Sequence, residues 1–198
     1  MSKNKFLITQ SLLSSWNWAY KTEDGHEAFL DTLNRKPIQK TSAMLNGTHF
    51  ENMVTAYCGG SEIITSHKWM QCVQDVGDIV KGGAFQVKLS KNMIINNVEF
   101  VLYGILDVLK RGKIYDIKFV EKYYRGKYLD SPQHPMYFEL CPEADEFTYL
   151  ISDGKDVFTE SYFREDITPI GEEIKGFMKY LDDRKLVNLY CEKWESKY

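Results

Sequence analysis

The first part of the chain has apolar residues at the spacing of amphipathic helices, which bury one face and expose the other. This spacing predicts four helices, over residues 6–20, 23–33, 42–57 and 66–80. The third helix has apolar residues at the i, i+3, i+4 and i+7 positions, namely Phe50, Met53, Val54 and Tyr57. Glycine pairs follow the third and fourth helices, and glycine commonly ends a helix because it tolerates a left-handed backbone.

The pattern changes after residue 83, where the chain becomes rich in Val, Ile, Phe and Tyr. This composition predicts strands over residues 85–89, 93–95, 98–109 and 113–120. Asn96-Asn97 and Arg111-Gly112 lie between strands and are typical of tight hairpin turns. We therefore expect an antiparallel meander in the middle of the chain.

The last third of the chain returns to helices with one more pair of strands. Ser131-Pro132 predicts a helix start, because serine can cap a helix and proline suits its first position. A strand pair is expected at residues 147–151 and 157–163, and one long helix at residues 168–194. The order predicts an α/β, or α+β layered, fold in one domain spanning residues 1–198.

Bulk composition fits a folded protein that is not inserted in a membrane. The 198 residues are 43% hydrophobic and 27% charged, which is ordinary for a globular domain with a core. No stretch approaches the roughly 20 apolar residues of a membrane span, and no signal peptide is apparent. The four cysteines form no CxxC pair, which argues against a zinc ribbon or disulfide framework. We expect a cytoplasmic protein with reduced thiols and no membrane partner.

Charge is unevenly distributed along the chain. Residues 84–127 hold nine basic and four acidic residues, a local charge of +5, whereas the whole chain carries −3 and the remainder −8. Such a segment is either a solvated face or a surface for nucleic acid. Two of its four acidic residues stand in the sequence context described next.

Two carboxylates and a lysine lie on the predicted hairpin around Arg111-Gly112. Residues i and i+2 of a strand share a face, so Asp116 and Lys118 point the same way while Ile117 points into the core. Pairing across the turn can bring Asp107 alongside. Charges in an apolar setting are costly unless paired, and carboxylate oxygens suit a divalent cation. The alternative is an exposed salt bridge on the hairpin.

The Asp/Glu-x-Lys tripeptide is weak by itself. It occurs five times, beginning at Asp116, Asp153, Glu173, Asp183 and Glu195. Four of these lie in a predicted turn or on the last helix, where charged residues are ordinary. Only the first lies on an apolar strand with another aspartate just upstream.

Two further elements add to the hairpin. Glu51 follows Gly47 on a helix that is otherwise apolar on one side. Gln133 and Tyr137 are one helical turn apart and share a face, where they can hold a phosphate or a base without adding charge. Taken singly, these are also compatible with an exposed glutamate and an amphipathic first turn.

These residues, in this order, resemble the PD-(D/E)XK nuclease superfamily, specifically its RecB-like and phage-type exonuclease branch. The set is Gly47-x-x-x-Glu51, Asp107, Asp116-x-Lys118 and Gln133-x-x-x-Tyr137, and residues 9–16 are similar to the N-terminal helix of that branch. The resemblance covers residues 9–140. It implies a restriction-endonuclease-like core, a mixed central β-sheet flanked by helices.

The resemblance also implies residue roles. Mg²⁺ or Mn²⁺ would be bound by Asp107, Asp116, Glu51 and the backbone carbonyl of Ile117. Lys118 would be the catalytic lysine, and the two carboxylates and Glu51 would complete the catalytic set. Gln133 and Tyr137 would contact DNA near the scissile phosphate. His49 competes with Glu51, but its offset from Gly47 fits less well.

Two positions and the cysteine pattern depart from the family pattern. Leu106 precedes Asp107 where proline is common, and Pro135 lies inside the Gln133–Tyr137 turn. Many relatives hold an iron–sulfur cluster on one N-terminal and three clustered C-terminal cysteines. Here Cys191 stands alone near the C-terminus, so we expect no iron–sulfur cluster.

The expected function is that of a Mg²⁺-dependent DNA nuclease, an exonuclease that hydrolyses phosphodiester bonds in phage or mobile-element recombination, replication or repair. Two alternatives stay open, namely a structure-specific endonuclease on the same fold and a non-catalytic nucleic-acid-binding module. DNA, single- or double-stranded, is the expected partner. A recombination partner protein and a homo-oligomer are left open.

Overall fold

The computed structural model describes residues 4–19, 24–61 and 66–196. The elements are β1 (Lys5–Thr9), α1 (Gln10–Trp18), α2 (Gly25–Leu33), α3 (Ser42–Cys58), α4 (Met70–Val80), β2 (Ala84–Ile95), β3 (Val98–Lys110), β4 (Lys113–Phe119), α5 (Gln133–Leu140), β5 (Glu146–Ser152), β6 (Val157–Phe163), a 3-10 turn (Arg164–Asp166), α6 (Ile170–Asp183) and α7 (Val187–Lys193). The strands form one mixed six-stranded sheet with helices packed against it. The expected fold class, a mixed sheet flanked by helices, is confirmed.

Strand β3 is the centre of the sheet and pairs along both of its edges. One edge pairs antiparallel with β2 over nearly its whole length. The other edge is shared, because β1 pairs in parallel with the first part of β3 and β4 pairs antiparallel with its end. From β4 the sheet continues to β5 in parallel and then to β6 in antiparallel orientation.

The shared edge of β3 leaves a fork between β1 and β4. Pairing with β1 ends at Tyr103, and pairing with β4 begins at Val108. In the described part of the chain, no strand pairs with residues 104–107 on this edge. The chain leaves the sheet here, because Thr9 ends β1 and its Oγ1 accepts a hydrogen bond from the N–H of Leu12 at 3.2 Å, which caps α1.

Two hydrophobic cores cover the two faces of the sheet. The larger core joins the sheet to α1, α2, α5, α6 and α7, with Leu12, Phe29 and Phe177 fully buried in it. The smaller core joins it to α3 and α4, with Phe50 and Val73 fully buried. The two cores bury the middle strands of the sheet, and a cleft at the fork is lined by Tyr103, Gly104 and Tyr137.

Gly104 allows α5 to approach the fork closely. A Cβ atom at this position would lie 2.5 Å from Cε1 of Tyr137 and 2.9 Å from Cδ1 of Leu140, well inside van der Waals contact. Because residue 104 has no side chain, the Tyr137 ring lies directly against β3. Its hydroxyl donates a hydrogen bond to the carbonyl of Ile105 at 2.9 Å. The tyrosine thereby binds the backbone of β3 within the fork.

The hairpin prediction is confirmed, with one difference in β2. Both turns have left-handed residues, with φ of 49° and 64° at Asn96 and Asn97 and of 51° and 75° at Arg111 and Gly112. These values suit the two-residue turns that connect twisted strands. The strands expected at 85–89 and 93–95 are one continuous strand, because both pair with β3 in a single register.

Three helix predictions are wrong in part. The helix expected at 66–80 begins only at Met70, because residues 66–69 form turns. Residues 6–9 of the helix expected at 6–20 belong to β1, where Phe6, Leu7 and Ile8 all pack in or against the larger core. Tyr20 lies outside the described residues, as does Glu23 of the next helix. The long helix expected at 168–194 is two helices. Lys185 has φ of 59° between them, which breaks the helical path and lets α7 fold back.

Within residues 4–19, 24–61 and 66–196, no helix combines the length and the apolar character that a bilayer crossing requires.

Candidate active site

At the point where β3 and β4 separate, the side chain of Asp107 takes the place of a main-chain carbonyl as the hydrogen-bond acceptor for β4. Main-chain pairing of the two strands stops at Val108 and Tyr115. Beyond it, Oδ2 of Asp107 accepts a hydrogen bond from the N–H of Ile117 at 2.9 Å. The carboxylate therefore holds β4 beside the fork without a backbone ladder, and it brings Asp107 next to Asp116 as the sequence predicts.

Asp116 and Lys118 lie on one face of β4, as the strand period requires. Nζ of Lys118 is 2.6 Å from Oδ2 of Asp116, and the Asp116 side chain is 3% exposed whereas that of Lys118 is 29% exposed. Ile117 points to the opposite face and packs in the smaller core. Nε2 of Gln133 donates a hydrogen bond to the other oxygen, Oδ1 of Asp116. The partner of Oδ2 among the described residues is the Lys118 ammonium.

Glu51 reaches the same centre from α3. The Phe50 ring packs on Phe119 of β4 with centroids 5.2 Å apart, which fixes this turn of α3 against the end of the strand. Oε1 of Glu51 accepts a hydrogen bond from Nε2 of Gln86 at 2.7 Å. Glu51 thus approaches the two aspartates while one of its oxygens is held by β2.

The backbone is irregular beside Asp107. Leu106 and Val108 are two residues apart in β3, yet they pack in different cores, so strict side-chain alternation fails between them. Gln86 lies opposite Asp107 in the register of β2 and has φ of 53°, a left-handed value uncommon for a residue with a side chain. Such strain tends to cluster at functional sites, where the surroundings enforce it.

The carboxylates of this centre disfavour one another's negative charge. Desolvation raises the pKa of Asp107 well above its usual value, and the nearby charges of Asp116 and Glu51 raise it further, against the lowering effects of Lys118 and the Ile117 N–H. Desolvation and the charge of Asp116 likewise raise the pKa of Glu51. A cation bound here would relieve this repulsion.

Lys118 is held in its charged form. Desolvation lowers the pKa of its ammonium, but the carboxylates of Asp116 and Asp107 outweigh that effect, and the pKa is raised overall. At neutral pH the side chain is therefore a cation and a donor, not a base. Its Nζ also lies 5.8 Å from the centroid of the Tyr149 ring on the neighbouring strand.

The donor set suits a hard cation that keeps much of its own water. No group of three or more His, Cys, Asp or Glu side chains stands in metal-binding geometry within residues 4–19, 24–61 and 66–196. Mg²⁺ is usually held by only one or two carboxylates plus water and substrate phosphate. Asp107 and Asp116 meet that requirement, and the buried Oδ2 of Asp116 has the Lys118 ammonium as its partner at 2.6 Å. The role expected for the Ile117 carbonyl stays a prediction.

Of the remaining expected residues, Gln133 and Tyr137 lie at the site, whereas His49 points away from it. Gln133 and Tyr137 are 5% and 6% exposed, and their polar groups bind Asp116 and Ile105. Their expected contact with DNA stays a prediction. His49 lies on a different side of α3 from Glu51, and its ring is 5.4 Å from His67 and 5.8 Å from Trp69.

Sequence reasoning missed Gln86 and the segment at residues 121–131. Gln86 belongs to no short motif, and a left-handed glutamine leaves no trace in the sequence. The segment follows β4 and lies beside Lys118, where Tyr124, Lys127 and Tyr128 line a pocket with it. Its aromatic and basic composition is the one signal that could have drawn attention to it.

Comparison with known proteins supports the fold alone. No protein-family model matches the sequence, and no curated protein matches it. Among solved structures, the chain is similar to the crystal structure of SSO0001, with a TM-score of 0.51 and 11% sequence identity. The alignment covers 92% of this chain and 79% of that one. At this identity the likeness establishes a shared arrangement of helices and strands.

Proposed function

We propose that the chain is a metal-dependent DNA nuclease that hydrolyses phosphodiester bonds at the fork. The observation that carries the proposal is the meeting of Asp107, Asp116 and Lys118 where β3 and β4 separate. Two carboxylates beside one retained cation, at the mouth of an opening in the sheet, suit attack on a phosphodiester. The proposal includes membership of the PD-(D/E)XK superfamily, on the ordered residues that resemble it.

Lys118 would act as an electrostatic group. During hydrolysis a bond forms between the water oxygen and phosphorus while the bond to the leaving oxygen breaks, and negative charge builds up on the phosphoryl oxygens. A fixed ammonium stabilises that charge, and its raised pKa keeps it protonated at neutral pH. The ion pair with Asp116 orients Nζ toward the centre before substrate arrives.

Asp107 and Asp116 would hold Mg²⁺ or Mn²⁺, with Glu51 as the nearest further carboxylate. Such an ion supplies a Lewis acid for a phosphoryl oxygen and acidifies a bound water. Asp107 also orients the backbone of β4 through Ile117, and Gln133 steadies Asp116. Lys118 and Gln133 contact the two oxygens of Asp116. Because a bound cation would take their place on that carboxylate, the two side chains would turn toward the phosphate.

The test is DNA digestion with Mg²⁺ or Mn²⁺, comparing the wild type with Asp116→Ala and Lys118→Ala. Loss of one such group commonly lowers the rate of a preorganised site by about 10²–10³-fold. The matched control is Lys155→Ala, because Asp153-Gly-Lys155 repeats the tripeptide in an exposed turn. If the wild type cuts neither single- nor double-stranded DNA, or both site variants cut at the wild-type rate, the proposal fails. Binding of DNA without cleavage would favour a non-catalytic module.

Within this proposal, digestion from DNA ends follows from the likeness to the exonuclease branch. Linear and covalently closed circular DNA of the same sequence separate the two modes. An exonuclease leaves the closed circles intact while it degrades the linear form. Cutting of both forms would instead indicate an endonuclease on the same fold.

A further inference from the structure

A pocket of about 340 Å³ lies between α1 and the segment at residues 121–131. We call it the α1 pocket. Its lining includes Asn17, Trp18, Lys118, Tyr124, Lys127 and Gln133. The volume is at the small end for ligand sites, which commonly measure about 300–1,000 Å³.

The α1 pocket opens directly onto the candidate active site. Lys118 and Gln133 line it, and both side chains also contact the carboxylate of Asp116. A molecule in this pocket would therefore lie one side chain away from Asp116. Any substrate whose phosphate reached Lys118 would place its neighbouring group here.

Two large aromatic side chains in the pocket are exposed to solvent. Trp18 is 53% exposed and Tyr124 is 66% exposed, although aromatic rings of this size are usually well buried. Exposed aromatic rings beside a basic groove are the platforms on which nucleobases stack in proteins that bind single strands. Lys127 lines the same pocket and adds a second cation to Lys118.

The segment that carries Tyr124 is fixed in place. Glu160 of β6 accepts hydrogen bonds from the N–H groups of Gly126 at 3.1 Å and Tyr128 at 3.2 Å, and from the hydroxyl of Tyr123 at 2.8 Å. The Tyr128 ring also stacks on Tyr149 with centroids 4.4 Å apart and planes 19° apart. The wall of the α1 pocket is thus preorganised, which reduces the entropy cost of binding.

A larger pocket nearby has the wrong charge for a nucleic acid. It measures about 430 Å³ and shares Asn17, Asp130 and Ser131 with the α1 pocket. Its acidic lining residues are Asp130, Asp166 and Glu173, and its described lining holds no lysine or arginine. The α1 pocket has two lysines against the one carboxylate of Asp130. A phosphate group is therefore electrostatically favoured in the α1 pocket over the larger one.

We propose that the α1 pocket receives an unpaired nucleotide of a DNA strand, with its base against Trp18 and Tyr124 and its phosphate toward Lys118. This inference deepens the proposed nuclease function and rests on it for the position of the scissile phosphate. A base inside a duplex is stacked on both sides and offers no free face to a ring. The pocket therefore selects single-stranded ends, or ends that fray.

The test measures binding of a fluorescein-labelled oligo-dT of about twelve nucleotides, a length that fits typical single-strand sites. Fluorescence anisotropy is recorded in Ca²⁺ at low salt, against a blunt duplex of equal length. We expect the single strand to bind more tightly, and Trp18→Ala or Tyr124→Ala to weaken it about tenfold, as loss of one stacked base predicts. Trp18→Phe and Tyr124→Phe should restore most of the affinity, since a ring remains.

The matched control is Phe163→Ala. Phe163 is 47% exposed and pairs with Glu146 at the start of β5, at the other end of the sheet from Lys118. Its removal should leave oligo-dT affinity unchanged. Equal affinity of wild type and the two alanine variants, with unchanged melting temperatures, would overturn the inference, as would tighter binding of the blunt duplex.

Failure of the inference is distinguishable from failure of the proposed function. If the wild type digests DNA but Trp18 and Tyr124 affect neither binding nor digestion, the α1 pocket is not the nucleotide site and the nuclease proposal stands. If no DNA is digested yet binding depends on both rings, the pocket binds single strands and the nuclease proposal falls.

Discussion

Two buried carboxylates lie in the same row of the sheet and have opposite surroundings. Asp116 of β4 pairs with Tyr149 of β5, and Tyr149 pairs with Glu160 of β6. Asp116 is 2% exposed and Glu160 is 9% exposed. Burial therefore does not separate them, and the difference lies in the partners each one has.

Glu160 is fully supplied with donors. It accepts hydrogen bonds from the hydroxyls of Tyr123 and Tyr162 and from the N–H groups of Gly126 and Tyr128. Desolvation raises the pKa of Glu160, but these donors outweigh it, and the pKa is lowered overall. This carboxylate holds a loop in place, and its negative charge stabilises the folded state.

The centre around Asp116 brings three carboxylates, those of Asp107, Asp116 and Glu51, close to the single cation of Lys118. Asp107 has a raised pKa because it is desolvated and close to Asp116 and Glu51, and Lys118 is the one cation that the described residues show in contact with Asp116. A buried acid with matched donors indicates a structural role, whereas acids that crowd one another around a single cation have the perturbed pKa values that are common at functional sites. Four predictions, from the largest effect to the smallest, test this contrast.

The largest effect is expected for Glu160→Gln. The amide has one acceptor oxygen in place of a carboxylate, so some of the four donors lose their partner in a buried place. Hydrogen bonds to a charged group contribute about 1.5–3 kcal/mol each, so the free energy of unfolding should fall by roughly 4 kcal/mol. Urea denaturation measures it, with Glu192→Gln at an exposed position of α7 as the control. A loss below about 1 kcal/mol would contradict the structural role.

The second largest effect is a loss of stability at acidic pH, caused by protonation of His134. His134 is 1% exposed, its ring stacks on Tyr162 at 4.1 Å, and burial lowers its pKa from 6.5 to about 4. Between these values the unfolded chain binds a proton that the folded chain does not. Stability is therefore full above pH 6.5 and falls by about 3 kcal/mol as the pH drops to about 4.

The measurement is the free energy of unfolding across that pH range, in wild type and His134→Phe. The variant keeps an aromatic ring against Tyr162 but has no titrating group, so its curve should be flatter. Parallel curves for the two proteins would show that His134 is not the group responsible.

A smaller effect of opposite sign is expected for Asp107→Asn. A raised pKa means that ionised Asp107 destabilises the fold as the pH rises above 3.8, and asparagine removes that charge while its oxygen can still accept from Ile117. Stability at pH 7 should rise by about 1 kcal/mol, in keeping with the usual conflict between activity and stability. Cleavage should be lost.

The matched control for this substitution is Asp153→Asn, measured by the same thermal melt. Asp153 accepts backbone hydrogen bonds from Lys155 and Asp156, both at 2.9 Å, and these lower its pKa. Its neutralisation should therefore destabilise the protein. Destabilisation by Asp107→Asn as well would remove the contrast between the two kinds of carboxylate.

A loss of stability as small as the gain from Asp107→Asn is expected for Tyr137→Phe. Its hydroxyl donates to the carbonyl of Ile105, and burial raises its pKa to about 12, so it stays protonated and able to donate. Loss of one neutral hydrogen bond should lower the free energy of unfolding by about 1 kcal/mol. Tyr124→Phe, at an exposed position, should change nothing. Equal stability of both variants would show that the Ile105 contact contributes little.

Much of the local structure followed from sequence pattern. The helices at α2 to α4, the meander and its two turns are specified by periodicity and by Asn and Gly at turn positions, which are local physical preferences. The alternation in β4 also determined that Asp116 and Lys118 share a face. Parallel pairing of β1 escaped prediction, because residues 6–9 are too few to separate a strand from the first turn of a helix.

Tertiary structure alone decided how many partners each carboxylate has. Nothing in the sequence around Asp116 and Glu160 marks one as crowded and the other as satisfied. Their donors come from residues up to 37 positions away, as Tyr123 and Glu160 show. The fork between β1 and β4, the left-handed backbone of Gln86 and the α1 pocket are likewise products of packing. Sequence period determines the face of a side chain, whereas the charge it meets there depends on distant segments that only folding brings together.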